Sequence, residues 1–103
     1  MTDRIRQLKA LLEDEPDDPF LLYSLGHEYA KAGDADNALA YFDRTIAADG
    51  DYCYAYYHKA RVQQQAGDAE AAKETLETGL ARALACQDQK AESEIRLYLE
   101  SLG

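Results

Sequence analysis

Two histidines and two cysteines are the side chains of this 103-residue chain best suited to metal binding or covalent chemistry. His27, Cys53, His58 and Cys86 would make a zinc-binding set if they converged. Their spacing argues against it, because no C-x-x-C or H-x-x-x-H pair presents two ligands together. The histidines are expected instead as exposed or groove residues. Two cysteines alone do not make a disulfide framework. Carboxylates are abundant, yet none has a convincing acid–base partner, and the run Glu13-Asp14-Glu15 reads as a solvated face. No G-x-S-x-G, glycine-rich phosphate loop or H-E-x-x-H occurs. The expectation is no enzyme activity, no catalytic residue, no cofactor and no metal site.

Composition narrows the partners. With 20 acidic against 11 basic side chains, the formal net charge is −9. Phosphate backbones need clustered Lys and Arg, so nucleic acid is not an expected partner. Three readings of the acidity stay open: a surface solvated for solubility, a salt-adapted source, or a basic partner. No run approaches the roughly 20 apolar residues of a membrane span. The first residues, MTDRIRQLKALLEDEP, have scattered charges and lack the apolar stretch of a signal peptide. A cytoplasmic protein with no membrane partner is expected, its thiols reduced. Eight tyrosines, two phenylalanines and no tryptophan mean that Tyr, Leu and Ala fill the core. Some of the tyrosines are expected on a contact surface, since the ring tolerates one wet end.

The elements that must position these residues read as helices. Ile5, Leu8, Leu11 and Leu12 predict an apolar stripe on a first helix from about Asp3 to Asp14, stopped by Pro16. Asp18 is the expected N-cap of the next helix, with Pro19 in its first turn. That helix runs to about Ala32, where Gly33 supplies a left-handed residue. Asp34 caps a third helix from Ala35 to about Ala48, which Gly50 is expected to end. Leu76, Leu80 and Leu84 predict the continuing stripe of a later helix. A last helix from about Asp88 to Leu102 carries Ala91, Ile95, Tyr98 and Leu102 as its apolar face.

The stretch LGHEYAKAGDADNALAYF, Leu25 to Phe42, is echoed 34 residues later. Gly33-Asp34 becomes Gly67-Asp68, Ala38 becomes Ala72, Phe42 becomes Leu76 and Gly26 becomes Ala60. This period and its small and aromatic positions resemble the tetratricopeptide repeat (TPR), a helix–turn–helix unit. The resemblance implies an all-α solenoid, an α-α superhelix of about six antiparallel helices. One domain, 1–103, would comprise an N-terminal half-repeat (2–18), repeat 1 (19–52), repeat 2 (53–86) and a C-terminal capping helix (87–103). Repeat 2 departs from the pattern, since Leu-Gly-x-x-Tyr becomes Lys59-Ala60-x-x-Gln63. Small residues at Gly26, Ala38, Thr45, Ala60 and Ala72 would sit where helix axes cross, with Leu25, Tyr29, Phe42 and Leu76 filling the gaps. Gly79 allows close backbone approach at a propensity cost of about 1 kcal/mol. Cys53 would open repeat 2 and Cys86 close it, and the two are expected far apart.

By the same resemblance, the first helix of each repeat lines a concave groove. Its exposed positions would be Phe20, Tyr23, His27 and Ala30 or Lys31 in repeat 1, and Tyr54, Tyr57, Arg61 and Gln64 in repeat 2. Offsets of three or four keep each set on one helical face. The surface so drawn is aromatic and weakly cationic, and Tyr and Arg are common binding hot spots. Tyr23–Tyr57 and His27–Arg61 are expected as neighbours across the stack. Some family members hold a chaperone's C-terminal carboxylate in a Lys/Asn/Arg clamp. Here Tyr23, His27 and His58 occupy clamp positions, so that role is not expected. The resemblance implies an adaptor that binds a protein or peptide partner in the groove. The alternative is a self-assembly module, stacking end to end or burying Tyr41, Tyr52 and Tyr56 in a homodimer.

Overall fold

The structure, a computed structural model, describes residues 3–103, and all regular secondary structure among them is helical. Residues 1 and 2 of the expected single-domain span, the second of which also opens the expected half-repeat 2–18, lie outside the described residues. Six helices follow in order: α1 (Asp3–Asp14), α2 (Pro19–Lys31), α3 (Ala35–Ala48), α4 (Cys53–Gln65), α5 (Ala69–Ala85) and α6 (Gln89–Leu102). Each packs mainly on its neighbours in sequence, while α2 touches α4 and α4 touches α6. The thinnest extent, 18 Å, is that of two helix layers about 10 Å each.

The turns are set by local chemistry. The Asp18 carboxylate accepts from the N–H groups of Phe20 at 2.9 Å and Leu21 at 3.4 Å, with Pro19 in the first turn. Asp34, Asp68 and Asp88 cap α3, α5 and α6 in the same way, each accepting an N–H three residues on. These bonds satisfy donors that a helix start leaves orphaned. Gly33 and Gly67 adopt φ of +81° and +90°, the left-handed geometry that ends a helix cheaply only at glycine. The α5–α6 turn repeats this form with Gln87 at φ +60° in the glycine's place. In all three turns the aspartate N–H reaches back five residues, to Tyr29, Gln63 and Ala83 at 3.0, 2.9 and 2.9 Å.

Packing follows the small-residue positions. Gly26 lies against the Phe42 ring, where an added Cβ would stand 2.7 Å from it. Gly79 likewise meets Tyr56, at 2.6 Å from an added Cβ. Ala38, Thr45, Ala60 and Ala72 are fully buried, as are Leu25, Phe42 and Leu76. The Thr45 hydroxyl donates to the Tyr41 carbonyl at 2.8 Å. Among the described residues, every buried side-chain polar atom has a partner, so the interior holds no unmet polar group to attract a ligand.

Five expectations need correction. Leu11 is 55% exposed, because Ile5, Leu8 and Leu12 at i, i+3 and i+7 are the positions that face α2. Leu84 is 48% exposed for the same reason. Seven residues make almost two full turns, so Ala83 continues from Leu76 while Leu84 rotates outward. Gly50 does not end α3; the helix stops at Ala48 and Asp49 is already extended. Gly50 instead makes room for Arg82, and its carbonyl accepts from Arg82 Nε at 3.0 Å and the Tyr56 hydroxyl at 2.9 Å. Tyr56 is therefore buried, not part of an exposed dimer face. Finally, Cys53 and Cys86 are not far apart; their sulfurs lie 3.9 Å from each other. An antiparallel helical hairpin returns the end of α5 to the start of α4, whatever the separation in sequence.

Candidate functional site

The face on which α2, α4 and α6 lie side by side carries the residues of interest. A series of rings crosses it. Tyr23 on α2 packs against Tyr52, His58 and Phe42, with centroids at 5.0, 5.6 and 6.0 Å. His27 meets His58 at 5.4 Å, edge to face. Tyr57 contacts His58 at 5.4 Å and Tyr98 of α6 at 5.2 Å. His58 thus touches both Tyr23 and Tyr57, the two rings expected as direct neighbours across the stack. Edge-to-face and offset contacts of this kind add to the burial of each ring.

Two openings flank this series. The larger, about 540 Å³, is lined by Tyr57, Arg61 and Gln64 of α4 and by Glu94, Leu97, Tyr98 and Ser101 of α6. The smaller, about 180 Å³, lies between α2 and α4 and is lined by His27, Ala30, Lys31, His58, Arg61, Val62 and Gln65. Arg61 borders both. It is exposed and has no ion-pair partner among the described residues. Lys31 is less available, since its ammonium sits 3.1 Å from Glu28 one turn earlier.

The remaining groove positions divide. His27 lines the smaller opening with Arg61, as their 34-residue spacing implied. Tyr23 lines neither opening, because its ring is half-buried within the aromatic series. Phe20 is 59% exposed and also stands outside both. The Tyr54 hydroxyl donates to Glu94, which fixes that carboxylate at the rim of the larger opening. Gln64 accepts from the Tyr98 hydroxyl at 2.5 Å. Helix α6 therefore supplies four of the seven residues that line the larger opening, residues that reading α6 only as a cap passes over. Their signal was present in the sequence, since Glu94, Leu97 and Ser101 recur at intervals of three and four beside the apolar stripe of Ile95 and Tyr98.

Electrostatics make the site mixed. Burial, then the nearby charges of His27 and Arg61, pushes the His58 imidazole down to about 4, against a weaker upward pull from Glu94. His58 is thus a neutral ring at neutral pH. The hydrogen bond to Glu94, together with burial, drives the Tyr54 phenol up to about 12. Burial likewise raises Tyr23 and Tyr98, so both stay protonated. Arg61 supplies positive charge and Glu94 a negative charge already engaged by Tyr54. The expected weakly cationic surface accordingly has an acidic edge contributed by α6. No group of three or more His, Cys, Asp or Glu among the described residues is placed to hold a metal ion. No helix among them is long and apolar enough to cross a membrane.

Antiparallel helix pairs stacked in one direction, with one face of aromatic and charged side chains, define a helical solenoid of the kind that holds other proteins. The chain belongs to the tetratricopeptide repeat family. The family's sequence profile, described as tetratricopeptide repeat, matches residues 29–92. A TPR repeat-containing protein of Pseudomonas aeruginosa is 33% identical over 98 residues, covering 95% of this chain and 93% of that one. The solution structure of a protein from Bordetella parapertussis superposes with a TM-score of 0.84 at 29% identity, covering 99% of this chain and 89% of that one. The crystal structure of PcrH with the chaperone-binding region of PopD gives a TM-score of 0.89 at 21% identity, covering 97% and 76%. The family's fold generally mediates protein–protein interaction, and its members are generally not enzymes.

Proposed function

We propose that this protein is an adaptor that binds a segment of a partner protein across α2, α4 and α6, centred on the larger opening. The observation that carries the reading is the exposure of Leu97, at 66%, beside Tyr57, Tyr98 and the unpaired Arg61. An exposed aliphatic chain beside two tyrosines in mutual contact suits an apolar side chain of the partner. Arg61 offers a forked donor set for a carboxylate on the same segment. The bound segment is therefore apolar with an adjacent acidic residue. PcrH, which shares the fold, was solved with a segment of PopD; that likeness supports a segment-binding use of the architecture.

The test is a peptide-display selection on the purified protein, followed by affinity measurement and NMR shift mapping. Selected peptides are expected to pair an apolar residue with an acidic one and to perturb Tyr57, Arg61, Leu97 and Tyr98. Arg61→Glu and Leu97→Asp should each weaken binding by roughly tenfold to a hundredfold, on the order of 1–3 kcal/mol, without lowering helicity. Glu13→Lys on the exposed face of α1 serves as the control. Peptides that bind both groove variants as well as the natural protein would move the site elsewhere. The homodimer alternative loses Tyr56 as a contact, and light scattering of the natural protein decides it.

A further inference from the structure

We propose that Cys53 and Cys86 form a reversible intramolecular disulfide when the protein meets a peroxide. Cys53 is the first residue of α4 and only 3% exposed, while Cys86 is the exposed cap residue of α5. Their sulfurs stand 3.9 Å apart. Cys53 Sγ also lies 3.4 Å from the Asp51 carbonyl, and Cys86 Sγ 3.8 Å from the Ala83 carbonyl. A disulfide needs about 2 Å between sulfurs. The remaining approach is within reach of side-chain rotation at Cys86, which sits past the last turn of its helix. Cys53 packs with Ala83 and Ala91 in one small apolar cluster. A bond here would join the start of α4 to the end of α5 and, through Ala91, fix where α6 begins.

The difference in exposure orders the chemistry. Burial first, then the contact with Cys86 and the carboxylates of Asp88 and Asp51, pushes the Cys53 thiol up to about 12, so it is not the residue that meets the oxidant. The exposed Cys86 sulfur attacks one peroxide oxygen. The O–O bond breaks, Cys86 becomes a sulfenic acid, and the thiol proton leaves with the second oxygen as water. The Cys53 sulfur then attacks the sulfenic sulfur. An S–S bond forms, the S–O bond breaks, and the hydroxyl departs with the Cys53 proton as a second water. Two thiols have given up two electrons and one peroxide has become two waters. A dithiol reductant reverses the step.

The test uses the full chain, reduced, freed of reductant and titrated with hydrogen peroxide. The expected product is a monomer lighter by two hydrogens, with both thiols lost to an alkylating probe and both restored by dithiothreitol. Closing a loop of this size should raise the melting temperature by about 5–15 °C over the reduced protein. In Cys53→Ser, Cys86 should stop at a sulfenic acid that dimedone traps; in Cys86→Ser, the buried Cys53 should resist peroxide. Oxygen added to Cys86 of the natural protein with Cys53 still free would overturn the proposal. So would covalent dimers in place of the internal bond.

Discussion

Tyr29 and Tyr41 stack nearly parallel between α2 and α3, with centroids 5.6 Å apart at 8°. Thirty-four residues later the same two slots hold Gln63 and Thr75, whose side chains share a hydrogen bond of 2.7 Å between α4 and α5. One repeat closes its helix pair with two rings, the other with an amide and a hydroxyl. Both slots differ between the repeats, and the second pair closes through its own hydrogen bond. The consequences differ. With Tyr29 buried and Tyr41 half-buried, the aromatic pair contributes the apolar area it covers and about 0.5–1.5 kcal/mol more. A neutral hydrogen bond contributes about 1 kcal/mol net, and costs more than that when one partner is left alone. The same contrast recurs at Phe42, fully buried against Gly26, where the second repeat has the smaller Leu76 against Ala60. The first repeat closes on more apolar material, and the second keeps the geometry with less.

Truncation of the two core positions should show this asymmetry most strongly. Phe42→Ala removes a ring that contacts both Gly26 and the aromatic series, and should cost about 3–5 kcal/mol. Leu76→Ala should cost about 2–4 kcal/mol, within the aliphatic range. Urea denaturation followed by far-ultraviolet circular dichroism measures both. If Leu76→Ala proves the more damaging, the second repeat holds the fold and the comparison is inverted.

A smaller effect sharpens the contrast at the paired slots. Thr75 is nearly buried, so Gln63→Leu leaves its hydroxyl without the amide oxygen, at a cost of about 1–3 kcal/mol. Adding Thr75→Val removes the stranded hydroxyl and should recover part of that loss. The double variant is therefore expected to be more stable than Gln63→Leu alone, with a coupling of about 1 kcal/mol. Strict additivity in the cycle would mean that the hydrogen bond contributes nothing to closing this repeat.

These paired slots also explain what was legible in the sequence. Gly33-Asp34 and Gly67-Asp68 announce their turns because left-handed backbone and helix capping require particular residue types. The α5–α6 turn used the same geometry without glycine at Gln87, and its Asp88 cap still marked the start of α6 to within a residue. Helical phase was less legible. Leu11 and Leu84 look like stripe residues by hydrophobicity alone, yet a rotation of one residue exposes each. The candidate site was half legible. Tyr57, Arg61 and Gln64 follow from the repeat register, while Glu94, Leu97, Tyr98 and Ser101 do not, since α6 lacks the repeat's residue pattern. The approach of Cys53 to Cys86 was hidden altogether, because separation along the chain says nothing about the two ends of a closed hairpin.

The subtlest difference between the repeats lies at one more pair of equivalent positions. Ser24 in α2 is nearly buried and uncharged, whereas α4 has His58 in that slot, set among Tyr23, His27, Phe42 and Tyr57. Burial holds its folded-state value down at about 4, below the ordinary 6.5. In the unfolded chain the imidazole takes up a proton as pH falls through about 6.5, while in the folded protein it waits until about 4. The unfolded state therefore binds more protons across that window, and stability falls as pH is lowered through it. Glu94 works weakly against this and Arg61 with it. The hydrogen bond from Asn37 lowers the Asp34 carboxyl, so its effect falls below the window. The melting temperature is expected to drop by a few degrees between pH 6.5 and pH 4.5. His58→Gln, which keeps a polar side chain but cannot take up a proton in this range, should flatten the curve, and Ser24→Ala should leave its shape unchanged. An equal drop in His58→Gln would assign the pH dependence to other groups and leave the two repeats electrostatically alike.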